Sequence, residues 1–266
     1  MTTQTRVFGD SLTMFQRSVL HIKRYPSLIM FIAGMPVVFL LLMVYVFGGT
    51  LGSGLGSVAG GREAYIAYVV PGILLVTIAG AATGTSISVA MDMTEGIVAR
   101  FRTMSIARAA VLTGHVGGSL VQIAIALGIV MVAAVLIGFR PTTGPLAWAA
   151  AAGMLALAAL AVTWLAVALG MVTKSVETAS NLPMILLLFV FLSSGFVPTE
   201  SLPGPLAWFA EHQPFTPIIE TVRGLLLGTP IGTDGMVAVA WCVVISVGSY
   251  LWARKLYERD PSPAVS

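Results

Sequence analysis

The residues best suited to recognition lie in one polar stretch, positions 91–115, which separates two long apolar runs. Asp92 and Glu95 have the spacing of a capping box, so they predict the acidic first turn of a short helix. An apolar stripe and a basic flank complete the pattern: Ile97, Phe101 and Met104, with Arg100, Arg102 and Arg108. Such a helix is either a docking element for a partner or a solvated connector whose arginines only set the membrane topology.

A second charged pair lies near the end of the chain. Glu220 and Arg223 are three residues apart, so on a helix their side chains lie on one face and can form an ion pair. The pair is either a surface salt bridge or part of a gate.

The motifs of several enzyme classes are absent from the sequence. No lysine follows a glycine, so there is no phosphate-binding loop, and none of the three histidines precedes a glutamate, so there is no HExxH zinc motif. The one cysteine, Cys242, lies in an apolar run and has no partner for a disulfide within the chain. We therefore expect a chain that is not an enzyme, with no catalytic residue, no metal site and no cofactor of its own.

Composition assigns the chain to the membrane. Hydrophobic residues make up 57% of the sequence and charged residues only 9%, against about a quarter charged in soluble domains. The modest basic excess then reflects orientation in the membrane rather than binding of nucleic acid.

Six apolar runs predict transmembrane helices, at about 28–48, 66–89, 116–137, 146–172, 182–197 and 236–253. A glycine-rich loop is predicted at 50–63. Gly80 and Gly84 in the second run form a GxxxG pair that permits close approach of helices. We favour packing within the chain for this pair over a subunit contact or a pathway lining.

The fifth run is short for a membrane span. Its 16 residues would give about 24 Å of helix, against a hydrocarbon core of roughly 30 Å. The outer segment 199–228 then holds two short apolar stretches, and we interpret them as a re-entrant helical pair on one face of the membrane. Thr216 as N-cap, Pro217 at the first helical position and Gly228 as the stop delimit the second stretch.

Residues 1–27 predict a helix lying in the membrane interface, because apolar side chains recur every three or four positions. These residues are Phe8, Leu12, Phe15, Val19 and Ile22. The predicted fold is thus an all-α membrane protein of six spans, with this N-terminal amphipathic helix, the outer re-entrant pair and a tail at 254–266.

The distribution of arginine and lysine predicts the orientation. When the loops are assigned to alternate sides, eleven of these residues fall on one side and three on the other. The basic side is cytoplasmic by the positive-inside rule. Both termini and the 91–115 loop are therefore predicted to be cytoplasmic, and the re-entrant pair is predicted to face outward.

This arrangement resembles the membrane subunit of type-2 ABC exporters, and most of all the bacterial daunorubicin-resistance permeases. The resemblance covers nearly the whole chain. It rests on the order of elements and on a proline and aromatic pattern after the fifth span: Phe196, Pro198, Pro203, Pro214, Pro217, Arg223 and Gly224.

The resemblance implies partners and a mechanism. The chain would work in the bacterial cytoplasmic membrane, as a pair of permease subunits, with a separate cytoplasmic ATPase that binds the ATP. A coupling helix would dock on that ATPase through Glu95, Ile97, Arg100, Phe101 and Arg102, with Arg108 beside it. The 8–22 helix would be the connecting helix, and an outer gate would comprise Phe196, Pro198, Pro217, Glu220 and Arg223.

The implied cargo is a small hydrophobic or amphiphilic compound, because the predicted spans consist mainly of alanine, valine and leucine. Two other interpretations stay open. One is an exporter of a lipid or lipid-linked glycan, and the other is a non-transporting assembly or sensor subunit.

Overall fold

The computed structural model describes residues 26–53, 61–94, 108–173 and 175–259, and every regular element in these ranges is helical. The α-helices are α1 Pro26–Leu42, α2 Gly48–Ser53, α3 Arg62–Thr94, α4 Arg108–Leu136, α5 Pro145–Val172, α6 Val176–Asn181, α7 Met184–Phe191, α8 Gly204–His212, α9 Phe215–Leu227 and α10 Asp234–Arg259. A π-helical turn, Met43–Phe47, joins α1 to α2, and a 3₁₀ turn, Thr199–Ser201, precedes α8.

Five helical stretches in these ranges are long and apolar enough to cross a membrane: Ile32–Thr50, Arg62–Met93, Val116–Leu136, Pro145–Val172 and Asp234–Leu256. They make the chain an all-helical, multi-pass membrane protein. The predicted fifth span, 182–197, is not among them, because only Met184–Phe191 within that range forms an α-helix. Pro183, the N-cap of α7, starts a new helix there, and α7 itself has only eight residues.

Two of the long helices form the centre of the bundle. About 70% of the most apolar part of α3 and α5 is buried (72% and 67%), against 28% or less in the other three spanning stretches. The outward faces of α1, α4 and α10 expose large apolar side chains such as Met35, Ile129 and Val244. These faces are suited to contact with lipid, because large apolar side chains are unfavourable in contact with water.

The central pair is in backbone contact. A Cβ built at Gly170 of α5 would lie 2.6 Å from the carbonyl oxygen of Ser86 in α3, so only glycine fits at this crossing. Nearby, Trp164 of α5 packs edge-on against Tyr250 of α10, with ring centroids 5.0 Å apart. These contacts hold α3, α5 and α10 together toward the end of the bundle where α3 stops.

Several predicted boundaries were wrong, because helices continue beyond their apolar runs. The π turn carries the first helix on to Ser53, and α3 begins at Arg62, so the glycine-rich loop is shorter than 50–63. At its other end α3 continues to Thr94. Asp92 is therefore part of the last turn of α3, and the prediction that it caps a new helix was wrong.

Candidate functional site

Helix α9 brings the predicted Glu220–Arg223 pair into the interior of the protein. Ten of its thirteen residues are buried, and it packs against α3, α5 and α10. Its C-terminus is closed by Gly228, which takes a left-handed conformation (φ 74°) and donates its N–H to the carbonyl of Gly224 at 2.8 Å. The predicted stop at Gly228 is confirmed.

The N-terminus of α9 differs from the prediction. Its N-cap is Pro214, and Thr216 lies inside the first turn. The Thr216 hydroxyl instead donates to the carbonyl of Ala210 in α8 and accepts from the N–H of Ser194 at 3.3 Å. Thr216 was thus predicted to cap its own helix, but it connects α9 to α8 and to the turn after α7.

Arg223 is the centre of the site. Its residue is only 8% exposed, and its guanidinium contacts three parts of the chain. Nη2 donates to the carbonyl of Tyr68 in α3 at 3.1 Å and to that of Ser194 after α7 at 2.8 Å. Nη1 pairs with the carboxylate of Glu220. The guanidinium carbon also lies 3.9 Å from the centroid of the Tyr68 ring, a cation–π contact.

The charge of Arg223 is well compensated, whereas Glu220 remains close to solvent. The Glu220 side chain is 32% exposed and that of Arg223 is 10% exposed. The energetic weight of the cluster therefore rests on the two hydrogen bonds to the carbonyls of Tyr68 and Ser194, because hydrogen bonds from a charged donor are the stronger ones. A partly exposed ion pair contributes little by comparison.

Beside this arginine the main chains of α3 and the turn after α7 touch. A Cβ at Gly72 would lie 2.6 Å from the carbonyl oxygen of Gly195. Pro71 precedes this contact and removes one hydrogen bond from α3, because proline has no N–H. The contact and Arg223 together fix the turn against the part of α3 next to Pro71.

The interior of the site contains polar atoms without a partner in the described part of the chain. They are Nε of Arg223, the hydroxyl of Ser194 and the side-chain oxygen of Gln213. The Gln213 nitrogen donates to the carbonyl of Phe189 in α7 at 3.0 Å. Buried groups of this kind usually bind water, so we expect ordered water between α8, α9 and the turn after α7.

The arrangement connects helices that are distant in the sequence. It joins α3, α7, α8 and α9 through one cation, one hydroxyl and one glycine contact. Among the described residues no group of three or more His, Cys, Asp or Glu side chains is placed to bind a metal ion.

The other residues of the predicted gate make contacts of their own. Phe196 is buried in an aromatic group, with its ring centroid 5.6 Å from Phe39 of α1 and 5.1 Å from Phe191 of α7. Pro198 is the N-cap of the 3₁₀ turn, and Pro217 is buried in the first turn of α9. The predicted gate is thus two clusters, one aromatic and one centred on Arg223.

The predicted ATPase-docking elements fall almost wholly outside the described residues. This holds for Glu95, Ile97, Arg100, Phe101 and Arg102, and for the connecting-helix positions Phe8, Leu12, Phe15, Val19 and Ile22. Arg108 is the first residue of α4. The coupling and connecting roles stay predictions.

Packing within the chain, the preferred interpretation of Gly80 and Gly84, stays a prediction, because no described helix lies beside them. No atom of another described element lies within 4 Å of a Cβ built at either glycine, and both residues are exposed. Among the helices that the structure describes, none therefore packs against these two glycines. The alternative, a subunit contact or a pathway lining, stays a prediction.

Sequence reasoning missed Tyr68, Gly72, Ser194 and Gln213. The sequence contains small residues at 193–195 and a proline at 71, but neither feature indicates that the two segments would touch. Tyr68 and Gln213 carried no local signal. Tyr68 accepts through its main-chain carbonyl and Gln213 donates to that of Phe189, and only the folded chain brings these partners together.

Comparison with known proteins decides the family. The model of the family "ABC-2 type transporter" matches residues 11–227. The chain belongs to the ABC-2 type transporter family. It is 30% identical over 220 residues to the daunorubicin resistance ABC transporter permease protein DrrB1 of Streptomyces coeruleorubidus, covering 82% of this chain and 75% of that protein.

A second relative is a probable doxorubicin resistance ABC transporter permease protein, DrrC, from Mycobacterium tuberculosis. It is 26% identical over 229 residues, which cover 80% of this chain and 76% of that protein. The resemblance inferred from the sequence is confirmed, and the chain is a transmembrane ABC permease subunit.

Proposed function

We propose that this permease subunit exports an amphiphilic, drug-like compound across a bacterial cytoplasmic membrane, driven by a separate cytoplasmic ABC ATPase. The observation that carries the proposal is the similarity to the daunorubicin resistance permease over 82% of the chain. The structure supports the class of cargo, because the exposed faces of α1 and α7 are apolar and meet at the Phe39–Phe191 contact. Such a surface favours apolar rings over a charged sugar chain.

The proposed assembly contains two permease subunits, most simply two copies of this chain. The open face of α3 around Gly80 and Gly84 is one surface available for a subunit contact or for the transport pathway. Each subunit would have six spans, the fifth built from α6 and α7, which together cover the 16 residues Val176–Phe191. The ATP is bound by the partner ATPase.

Coupling is assigned to segment 91–115 and to the 8–22 helix, both on the cytoplasmic side with the two termini. In this proposal Phe101 is the apolar anchor of the coupling helix. Replacement of Phe101 by alanine should weaken recovery of the ATPase while membrane insertion stays normal. Unchanged ATPase recovery and transport would refute that role.

The outer gate is assigned to the Arg223 cluster and the neighbouring aromatic group. Arg223 joins α9 to α3 and to the end of α7. If α3 or α7 moves relative to α9, these hydrogen bonds must break unless the helices move together. Their loss should therefore alter opening to the outside.

The orientation can be tested with one cysteine. Glu211 is exposed at the end of α8, whereas the native Cys242 is buried. In intact cells a membrane-impermeant thiol reagent should label Glu211→Cys and leave the parent chain unlabelled. Labelling only after lysis would overturn the outward placement of α8 and α9.

The central experiment is co-purification with candidate ABC ATPases from the same source, followed by uptake of daunorubicin into inside-out vesicles. We expect stoichiometric recovery of one ATPase. Daunorubicin should accumulate only when ATP is present and only in vesicles that contain this permease. Recovery of an ATPase without drug accumulation would favour a lipid or glycan cargo. Failure to recover any ATPase would favour a non-transporting subunit.

A further inference from the structure

An elongated apolar cavity of about 780 Å³ lies between α4 and α5. Leu74 of α3 and Leu226 of α9 contribute to its wall, and every lining residue is apolar. The two helices are consecutive in the chain, yet each packs more extensively on α3 than on the other. We call this cavity the α4–α5 slot.

The slot exists because its middle is lined by small residues. These are Ala124 and Gly128 on α4 and Ala152, Gly153 and Ala156 on α5. Within the described structure no atom outside the local backbone lies within 4 Å of a Cβ built at Gly128 or Gly153. An empty space of this size would forfeit the dispersion contacts of its walls, so an apolar molecule is expected to fill it.

The slot has the length of a lipid chain in one leaflet. On α4 it extends from Leu120 to Met131, and on α5 from Leu160 to Trp148. Eleven helical residues span about 17 Å. One leaflet contributes about half of the 30 Å hydrocarbon core. The Met131–Trp148 end lies close to the loop that joins the two helices.

A positive charge lies above that end. Arg140 follows α4 and is exposed, and its Nη1 donates to the carbonyls of Val135 at 2.8 Å and Phe139 at 3.2 Å. Val135 is one helical turn beyond Met131, about 6 Å along the axis. The guanidinium has further N–H groups in a fork that matches a phosphate. Trp148, in the wall at the same end, is a residue typical of the membrane interface.

We propose that the α4–α5 slot binds one acyl chain of an anionic phospholipid, whose phosphate is bound by Arg140. Size argues against a partner helix as the occupant. A helix about 10 Å across and 17 Å long needs roughly 1,300 Å³, which exceeds the volume of the slot. The lipid belongs to the leaflet on the side of the α4–α5 loop.

The proposal is tested by native mass spectrometry of the full chain, purified, stripped of lipid and then titrated with phosphatidylglycerol or with phosphatidylcholine of the same chains. We expect one phosphatidylglycerol per protomer that survives dissociation of the detergent. Its retention should exceed that of phosphatidylcholine about tenfold, because both lipids carry the phosphate but only phosphatidylcholine also brings a cation close to the Arg140 guanidinium.

Three variants locate the site. Gly128→Leu combined with Gly153→Leu fills the slot and should abolish the retained lipid. Arg140→Gln should reduce phosphatidylglycerol to the level of phosphatidylcholine while the slot remains occupied. Gly248→Leu is the matched control, because Gly248 also lies in open space but on α10, away from the slot.

Two results would overturn the proposal. The first is equal lipid retention by the filled-slot double variant and by Gly248→Leu. The second is that daunorubicin displaces the retained lipid from the parent chain but does not bind to the double variant. That result would make the slot a cargo site. Neither result depends on the partner ATPase, so the transport proposal is tested separately.

Discussion

Helix α5 shows two opposite environments for glycine along its length. At Gly170 its backbone touches that of α3, and a Cβ would lie 2.6 Å from the carbonyl oxygen of Ser86. At Gly153, almost five turns earlier, the space beside the backbone is open and forms part of the α4–α5 slot. One glycine permits contact, and the other leaves room.

The difference shows that small residues in a membrane helix have no fixed meaning. The same contrast holds between Gly72, which touches Gly195, and Gly80, which lies two turns further along α3 in open space. Local sequence is similar in these places, since small and apolar residues surround each glycine. The position of the neighbouring element alone decides whether the glycine allows a close backbone contact or lines an open space.

The largest effect should come from matched substitutions on α5. Gly170→Ala forces a methyl group into a main-chain contact and should lower the free energy of unfolding by about 3 kcal/mol, the upper part of the range for overpacking. Gly153→Ala should be neutral or slightly stabilising, because alanine favours helix. Thermal unfolding in detergent measures both. Equal loss in the two variants would break the comparison.

The next effect concerns the contact around Gly72. Arg223→Met removes both hydrogen bonds from Nη2 and takes the donor from the buried carbonyl of Ser194, which should cost about 2–3 kcal/mol. Glu220→Gln is the matched change on the same face, and it should cost less than about 1 kcal/mol because that side chain is partly exposed. A larger loss for Glu220→Gln would show that the ion pair, and not the carbonyl contacts, holds the site.

The open face of α3 should respond differently. Gly80→Leu meets no neighbour in the described part of the chain, so the stability of the protomer should change by less than about 0.5 kcal/mol. If this face is a subunit contact, the fraction of dimer in light scattering should fall. An unchanged dimer fraction and unchanged transport would leave Gly80 facing lipid only.

The smallest effect on stability is expected in the α4–α5 slot. Gly128→Leu places a side chain in open space, so its thermal unfolding in lipid-free detergent should match that of the parent within about 0.5 kcal/mol. Added phosphatidylglycerol should then stabilise the parent more than the variant, because only the parent binds it. Equal stabilisation would show that the slot is not a lipid site.

The sequence predicted the class of fold because long apolar runs with few charges have one physical solution in a membrane. It also predicted the stop at Gly228, since a glycine at the end of a helix is a local signal. The length of helix beyond each apolar run was not predictable in this way. The segment after Ala90 is polar, yet α3 continues through Asp92 to Thr94.

The candidate site was only half predictable. Glu220 and Arg223 could be paired from their spacing, because both lie on one helix. The partners of Arg223 could not be predicted, since Tyr68 is 155 residues away and offers a main-chain carbonyl that no sequence pattern marks. Thr216 was misjudged for a related reason: its hydroxyl could cap its own helix, but tertiary partners compete for the same atom.

The length of α3 has a mechanical consequence. Its 33 residues give a rod of about 50 Å, and its close contact with Gly195 at Gly72 lies well off centre. The arm from Gly72 to Arg62 is about 15 Å, whereas the arm from Gly72 to Thr94 is about 33 Å. If the rod pivots at this contact, a displacement of the Thr94 end moves the Arg62 end about half as far. The force at the Arg62 end is then about twice the force applied at the Thr94 end. A large movement under a small force at one membrane surface thus becomes a small movement under a large force at the opposite surface.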